Sequence, residues 1–164
     1  MSNTQSTQKT EWLPLIICIA IPVAIGITAS YFTDSDSAWY LALKKPSFNP
    51  PGWLFAPVWT SLYIMMGVAS YLVWQNRENR EPYFKARSLY VMQLILNFSW
   101  SFIFFQAHNV LGALVIIVLL WVLIVACIFS FKKLSTAAAW LMVPYILWVS
   151  FATVLNYSIL RLNE

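Results

Sequence analysis

The sequence predicts an all-α membrane protein, a bundle of five transmembrane helices in a single domain. Hydrophobic residues make up 60% of the 164 residues and charged residues 10%, against about 45–50% and about 25% in ordinary soluble proteins. The charged residues, ten Lys and Arg and six Asp and Glu, all fall outside five long uncharged stretches. A soluble fold of this size could not bury so much apolar surface, whereas a bilayer accepts it.

These five stretches are each long enough to cross a bilayer. About 20 apolar residues with a rise of about 1.5 Å each cover the roughly 30 Å hydrocarbon core. Barrel strands are excluded, because they are about 10 residues long and alternate in polarity. The predicted domain covers 13–162 after a polar tail over 1–12, and its spans are approximately 13–32, 53–74, 88–107, 110–131 and 135–160.

The connections between the spans differ in length and in charge. Loop one, 33–52, is long and rich in proline, and loop two, 75–87, is charged. The third connection has two residues, 108–109, so spans three and four form a tight antiparallel pair. The polar tail has no basic segment followed by a short apolar run, and it is therefore interpreted as an exposed tail and not as a cleaved signal peptide.

The distribution of Lys and Arg predicts an orientation. Seven of them lie on the side of the tail, loop two and loop four, and three lie on the opposite side. The positive-inside rule then places the N-terminus in the cytoplasm and loop one outside, with a bacterial cell membrane favoured over a mitochondrial outer membrane. The first group is Lys9, Arg77, Arg80, Lys85, Arg87, Lys132 and Lys133, and the second is Lys44, Lys45 and Arg161.

Several function classes lack the residues that they need. The one histidine, His108, lies in a two-residue connection, and no acidic residue lies within a span. Cys18 and Cys127 both lie inside apolar stretches, which argues against a disulfide or a metal site. A catalytic triad, a metal centre and a proton relay are therefore not expected. No required cofactor is predicted, and no basic stripe suggests nucleic acid as a partner.

Polar and aromatic side chains recur at helical spacing on three of the spans. Residues three or four apart share one helix face, so each of these spans has a face with rings, amides and small residues. Turned inward together, the faces would line a cavity suited to a planar, mainly apolar ligand with polar edges. The alternative is plain helix packing, in which amides cross-link helices. The residues are Trp59 and Tyr63, then Gln93, Asn97, Trp100 and Ser101, then Pro144, Trp148, Ala152 and Asn156.

Two further patterns have a functional and a structural interpretation. Pro22, Pro57 and Pro144 lie within spans, where proline either kinks a helix around a cavity or simply occurs at the higher frequency usual for membrane helices. Near the C-terminus, Leu155, Tyr157 and Arg161 fit the L-x-Y-x-x-x-R pattern proposed for cholesterol contact. The alternative for this pattern is an interfacial tyrosine with a snorkelling arginine.

Loop one carries a specific resemblance to a known family. The run Trp39–Pro51, W-Y-L-A-L-K-K-P-S-F-N-P-P, resembles the W-Y-x-x-L-x-K-P-x-W-x-P-P signature of the TspO/MBR family, and the match extends over nearly the whole chain after the tail. Phe48 stands where the family usually has Trp, so an indole N–H is missing. Further matches are Trp59, Leu62, Tyr63, Met66, Gly67, Ser70, Tyr71 and Trp74, then Gln93, Leu94, Leu96, Asn97 and Trp100, then Pro144, Tyr145, Trp148, Phe151, Ala152, Leu155, Asn156 and Tyr157.

The resemblance implies a five-helix bundle, commonly a homodimer in the lipid bilayer, with a ligand pocket on the side of loop one. Family members bind porphyrins such as protoporphyrin IX, haem, and also sterols. By match to the motifs, the expected ligand-binding residues are Tyr40, Pro50, Pro51, Trp59, Asn97, Trp100, Trp148, Ala152 and Asn156.

Three functions remain open on the sequence. The first is a transporter or sensor that binds porphyrins and sterols. The second is an enzyme that degrades porphyrin with light and oxygen, for which Trp148 and Trp59 are the candidate residues. The third is a scaffold that regulates a partner membrane protein, in which case the loop-two charges Arg77 and Arg80 would matter more than a pocket.

Overall fold

A computed structural model describes residues 10–164, and every regular element in that range is helical. Five helical segments are long and apolar enough to cross a membrane: Trp12–Ser30, Gly52–Trp74, Arg80–Gln106, Val110–Lys132 and Thr136–Leu162. The prediction of a five-span helical membrane protein is confirmed. Most of the predicted tail lies outside the described residues. The helices are α1 (Trp12–Ser30), α2 (Ala38–Ala42), α3 (Phe55–Trp74), α4 (Arg80–Ser101), α5 (Val110–Lys132), α6 (Thr136–Leu141) and α7 (Val143–Leu162).

The five spans pack as a closed ring. Helix α1 packs along α3, α3 contacts α6 and α7, these pack on α5, α5 packs on α4, and α4 returns to α1. Large apolar side chains on the outer surface face the position of lipid, and Trp12, Trp53 and Trp140 are exposed near the first residues of their spans. Such tryptophans suit the boundary between lipid and water, where an apolar ring and an N–H donor both find partners.

Helix α4 is longer than the uncharged stretch that predicted it. It begins at Arg80, eight residues before the predicted start at 88, and loop two shrinks to 75–79. The charged residues of its first two turns do not prevent helix formation, because a helix can extend beyond the bilayer and keep its charges in water. Glu81, in the first turn, also interacts favourably with the positive end of the helix dipole.

The fifth span is interrupted at Met142, between α6 and α7. Pro144 follows within the first turn of α7 and has no N–H to donate to the carbonyl of Trp140. Pro22, by contrast, lies inside an unbroken α1. Of the two, Pro144 is the proline that coincides with a break. The break places Tyr145, which is fully buried, at the centre of the bundle.

Close approach of α1 and α3 depends on a glycine. A Cβ atom added to Gly67 would lie 2.5 Å from the Cα of Ile19, which is closer than two carbon atoms can pack. The half of the bundle towards loop two is filled in this way and by large buried side chains, among them Met66, Ile124 and Phe131. Empty space is instead found in the half towards loop one.

Candidate ligand cavity

A cavity of about 960 Å³ lies beneath loop one, between α1, α3 and α4. Its walls come from the last turns of α1, the first turns of α3, the last turns of α4 and loop one. Six of the nine residues that sequence predicted for ligand binding line the cavity, namely Tyr40, Pro50, Pro51, Trp59, Asn97 and Trp100.

One wall of the cavity is made of aromatic rings. Tyr40, Phe55, Trp59, Trp100 and Phe105 all line it. Trp59 stacks on Tyr63 with ring centroids 5.6 Å apart, so the indole plane is fixed by its neighbour one helical turn away. We refer to Tyr40, Phe55, Trp59, Trp100 and Phe105 as the aromatic wall. The wall offers flat apolar surfaces to a ligand in the cavity.

The opposite side of the cavity is formed by small residues of α1. Gly26, Ala29 and Ser30 line it. A Cβ atom at Gly26 would overlap the ring of Tyr63, so α1 meets α3 closely at the bottom of the cavity. Above that contact, the small side chains of α1 leave room facing the aromatic wall.

The α7 residues predicted to line the ligand pocket line a separate space. A smaller void of about 40 Å³ lies on the other side of the aromatic wall, and it is lined by Trp148, Ala152 and Asn156. The five residues of the aromatic wall line this void as well. The three α7 residues do not line the larger cavity. Within the described part of the chain, the indole N–H of Trp148 is buried and has no hydrogen-bond acceptor. Rings thus separate α7 from the main cavity.

The polar residues predicted on α4 cross-link the helices. The Tyr63 hydroxyl donates to Oδ1 of Asn97 at 2.6 Å, and Nδ2 of Asn97 donates to the Tyr145 hydroxyl at 3.2 Å. The Tyr145 hydroxyl in turn donates to Oε1 of Gln93 at 2.9 Å. This network joins α3, α4 and α7, and its four side chains are buried. Asn97 therefore has both predicted roles, since it also lines the cavity.

Asn156 cross-links helices in the same way. Its Oδ1 accepts from the indole N–H of Trp100 at 3.0 Å, and its Nδ2 donates to the carbonyl of Val110 at 3.0 Å. The first of these bonds fixes the Trp100 ring as part of the aromatic wall. The two interpretations of the sequence pattern therefore coexist, because Asn97 and Asn156 connect the helices and also line the spaces beside the rings.

Loop one is held over the cavity by contacts at several points. The Trp39 ring stacks on His108 at 4.3 Å, where His108 has a left-handed backbone with φ of 51°. The backbone of Lys44 exchanges two hydrogen bonds with the side chain of Asn163, at 3.0 and 2.9 Å. On the α1 side, Nε2 of Gln106 donates to the carbonyl of Phe32 at 3.1 Å. These contacts tie the loop to the C-terminus and to the connection between α4 and α5.

Charge is confined to the rim of the cavity. Asp36 and Lys45 are the charged residues among those that line it in the described range. The ammonium of Lys45 lies 3.9 Å from the centre of the Tyr40 ring, a cation–π contact. Burial raises the pKa of the Tyr40 phenol above its usual value, so the ring stays neutral at physiological pH. The rim thus carries one cation, which lies over the Tyr40 ring, and one exposed anion.

Phe48, the departure from the family signature, lines neither space. Its ring is 48% exposed and meets Phe151 edge-on, with centroids 6.3 Å apart. The position where the family usually has Trp therefore lies on the outer side of loop one, so Phe48 removes no indole N–H from the lining of the cavity.

The three residues of the proposed sterol motif do not form one surface. Leu155 is buried in the bundle, whereas Tyr157 and Arg161 are exposed. Leu155 and Tyr157 are two residues apart, which puts them on opposite sides of α7. Arg161 pairs with Glu164 at 2.5 Å. Sterol contact stays a prediction for the exposed pair alone.

The loop-two arginines predicted for a scaffold role differ in their surroundings. Arg77 lies over the Trp74 ring at 3.8 Å and 3.9 Å from Glu11. Arg80 is exposed at the first turn of α4. Both residues are exposed, and Arg77 would exchange these contacts to meet a partner.

Several residues of the cavity were not predicted from the sequence. Phe105 and its neighbour Phe104 both point inward because Phe102–Gln106 forms a π-helix, which shifts the helical phase. No pattern in the sequence predicts this π-helix. Phe55, Lys45 and Asn49 also line the cavity, and Lys45 and Asn49 could have been noted from their places within the loop-one signature.

Comparison with known proteins gives a consistent family assignment. The model of the TspO/MBR family matches residues 18–162. The tryptophan-rich protein TspO of Chlorobaculum tepidum is 45% identical over 152 residues, which cover 92% of this chain and 96% of the relative. The tryptophan-rich sensory protein of Cereibacter sphaeroides is 38% identical, with 93% of each chain covered. The translocator protein of Sus scrofa is 36% identical, covering 93% and 92%. This integral membrane protein belongs to the TspO/MBR family.

Proposed function

We propose that the protein is a membrane receptor that binds a porphyrin in the cavity beneath loop one. The observation that carries the proposal is the cavity itself, about 960 Å³ in volume with one wall of five aromatic residues. Ligand sites in proteins span roughly 300–1,000 Å³ and are mostly apolar with a few convergent polar groups. A flat tetrapyrrole is a large apolar ligand that stacks on rings, and this cavity is large enough for one.

The charges at the rim fit the polar edge of such a ligand. A porphyrin with propionate groups combines an apolar plane with carboxylates along one edge. With the plane against Trp59 and Trp100, the carboxylates can reach the loop-one rim, where Lys45 supplies a cation. The ammonium stays close to water, so this contact orients the ligand more than it adds affinity.

The lining favours a metal-free porphyrin over one that needs axial ligation. Among the described residues that line the cavity there is no His, Cys or Met. Tyr63 has a hydroxyl committed to Asn97, which leaves Tyr40 as the phenol available for an iron ion. Haem would therefore bind through the same stacking contacts, with little added by coordination.

Sensing fits the geometry better than passage across the membrane. The half of the bundle towards loop two is packed with fully buried side chains, including Met66, Ile124 and Cys127. A ligand held under loop one would meet this packed core beneath it. The relatives carry the names sensory protein and translocator protein, and of these two roles we propose the first, with a bound ligand changing how loop one packs.

Light-dependent degradation of the bound porphyrin is a second candidate, and one observation identifies its residue. Trp59 lines both the cavity and the adjoining void, whereas Trp148 lines only the void. An indole that reacts with an excited ligand must be next to it. Illumination of the complex in air would yield a new absorbing product that disappears in Trp59→Phe and persists in Trp148→Phe. Unchanged porphyrin under light would dismiss this candidate.

Titration of the purified protein with protoporphyrin IX tests the proposed binding. We expect saturable quenching of tryptophan fluorescence in the wild-type protein. We expect the affinity to fall about tenfold or more in Trp59→Ala, since stacking of one flat ring system on an aromatic side chain is worth roughly 1–3 kcal/mol. The matched control is Trp53→Ala, in the same span, because Trp53 is 72% exposed and lines neither space. Linear quenching without saturation, or an equal loss in both variants, would contradict the proposal.

A further inference from the structure

The cavity reaches the outer surface of the bundle between α1 and α3. Ile27 on α1 and Ala56 and Thr60 on α3 line the cavity, and all three are exposed residues, Ile27 to 56%. They lie on the last turns of α1 and the first turns of α3, so they are close to the membrane surface on the side of loop one. We call this opening the side portal.

Below and opposite the side portal the bundle is closed. Towards the membrane centre, the backbone of Gly26 lies directly against the Tyr63 ring. On the other flank of α1, Phe32 meets Phe98 and Phe102 edge-on, each with centroids 5.7 Å apart. The α1–α4 contact is therefore filled by rings, and the α1–α3 side is the side of the cavity that reaches the surface at membrane depth.

The mouth of the side portal is apolar despite its hydroxyl groups. The Thr60 hydroxyl donates to the carbonyl of Ala56 at 2.8 Å, and the Ser30 hydroxyl donates to the carbonyl of Ile27 at 2.7 Å. Each of these donors is satisfied inside its own helix, as is usual where a helix faces lipid. An apolar molecule passing between the helices would break none of these bonds.

Next to the side portal, loop one supplies a polar edge. Asp36 and Lys45 lie at the rim of the same cavity. An amphiphilic planar molecule dissolved in a membrane rests at the boundary with its apolar plane in lipid and its charged groups in water. It would meet the apolar portal and the charged rim in that same orientation.

We infer that the ligand enters and leaves sideways, from the lipid through the side portal, while loop one stays closed. This inference rests on the proposed binding function and adds the source of the ligand, a planar amphiphile dissolved in the bilayer. The roof contacts support it, since Trp39 on His108 and Lys44 on Asn163 hold loop one at the far side from the portal. Lifting loop one at that side to admit ligand from water would require those contacts to break.

Two reversible locks distinguish the two routes. The portal lock joins Ile27→Cys to Thr60→Cys with a short bifunctional disulfide-forming reagent, and the roof lock joins Lys44→Cys to Asn163→Cys in the same way. Both are built with Cys18→Ser and Cys127→Ser, which remove the two native thiols. Association and dissociation rates of protoporphyrin IX are measured by tryptophan quenching in lipid nanodiscs, before and after reduction of the link.

Compared with the same variant after reduction of its link, the closed portal lock is expected to slow both rates by about tenfold or more, while the linked and reduced forms keep nearly the same Kd, because the link blocks a path. Reduction restores the rates, and the roof lock leaves them within about twofold. Unchanged rates in the portal lock, or slowing by the roof lock instead, would overturn the inference while binding itself stands. Loss of saturable binding in the unlocked wild type would instead overturn the proposed function.

A bulky substitution provides a second check where the portal link does not form. Ala56→Trp fills the mouth from α3, and Pro57→Trp, one residue along on the exposed surface and outside the lining, is its control. Slower exchange in Ala56→Trp alone supports side entry. Equal rates in both variants and the wild type would contradict it.

Discussion

Four buried polar side chains, Tyr63, Gln93, Asn97 and Tyr145, are joined by hydrogen bonds, and five aromatic residues line the cavity beside them. Asn97 illustrates these bonds, because both ends of its side chain are used by Tyr63 and Tyr145. In a membrane interior no water is present to bond to a side-chain amide, and an unpaired amide there is costly in free energy. The same bonds hold the helices that carry Trp59 and Trp100, so the polar network positions the aromatic wall.

A double-mutant cycle measures that network. Asn97→Leu leaves the buried Tyr63 hydroxyl without its acceptor, and we expect the free energy of unfolding to fall by about 1–2 kcal/mol. Adding Tyr63→Phe removes the orphaned hydroxyl, so the double variant is no less stable than Asn97→Leu alone. The coupling should be near 0.6 kcal/mol and at most about 1.7, the range found between membrane helices. Additive losses in a denaturation series would show that the hydroxyl and the amide act separately.

Lys45 and Lys44 provide a matched test of the charged rim. Lys45 lines the cavity and Lys44, its neighbour, does not. We expect Lys45→Gln to weaken binding of protoporphyrin IX by roughly two- to fivefold, as for other exposed ion pairs. Lys44→Gln has no such effect, and the dimethyl ester of the porphyrin binds both variants and the wild type alike. Equal weakening of acid and ester would place the carboxylates elsewhere.

At the scale of helices, the interface of α1 and α3 depends on close backbone contact. A methyl group at Gly67 would meet the backbone of Ile19 at 2.5 Å, whereas one at Gly52 would meet nothing within 4 Å. Side chains of Ile19 could move aside, but its backbone can do so only if α1 shifts as a whole.

Gly67→Ala should therefore lower the free energy of unfolding by about 1–3 kcal/mol, the usual cost of overpacking. Gly52→Ala should change it by less than about 0.5 kcal/mol. Thermal unfolding in one detergent compares the two variants. Equal stability of Gly67→Ala and the wild type would mean that α1 is free to move away from α3.

The number and type of helices could be predicted from sequence because they depend on local composition. A stretch of 20 uncharged residues has few alternatives to a membrane helix. The start of α4 at Arg80 was not predictable by that criterion, since charges limit the part of a helix inside lipid and not the helix itself. The break at Met142 had a visible cause in Pro144, yet Pro22 does not break α1. Packing around each proline decides whether the helix breaks, and that packing cannot be read from the sequence.

The site was predictable in its residue types and less so in their arrangement. Helical spacing correctly put Trp59 and Asn97 on inward faces, and the cavity contains both. The same reasoning put Trp148 and Ala152 inward, but they line the adjoining void. Spacing along one helix defines a face and does not say which neighbouring space that face meets. The π-helix at Phe102–Gln106 decides part of that division, and no spacing rule predicts it.

Across the whole molecule, two properties predicted from sequence stay predictions, the homodimer and the orientation. The count of Lys and Arg places loop one outside the cell and loop two inside. A membrane-impermeant maleimide should label Ser35→Cys in intact cells and Glu78→Cys only after permeabilisation. Both native cysteines are buried, so background labelling is low. The reverse pattern would put the ligand cavity on the cytoplasmic side.

The central claim is that the space beneath loop one is the ligand site. A structure of the protein with protoporphyrin IX in a lipid environment tests it most directly. We predict tetrapyrrole density in the cavity between α1 and the aromatic wall, with its plane against Trp59 and Trp100 and its carboxylates towards Lys45. Density bound only on the lipid-facing surface of the bundle, with the cavity unchanged, would contradict the claim.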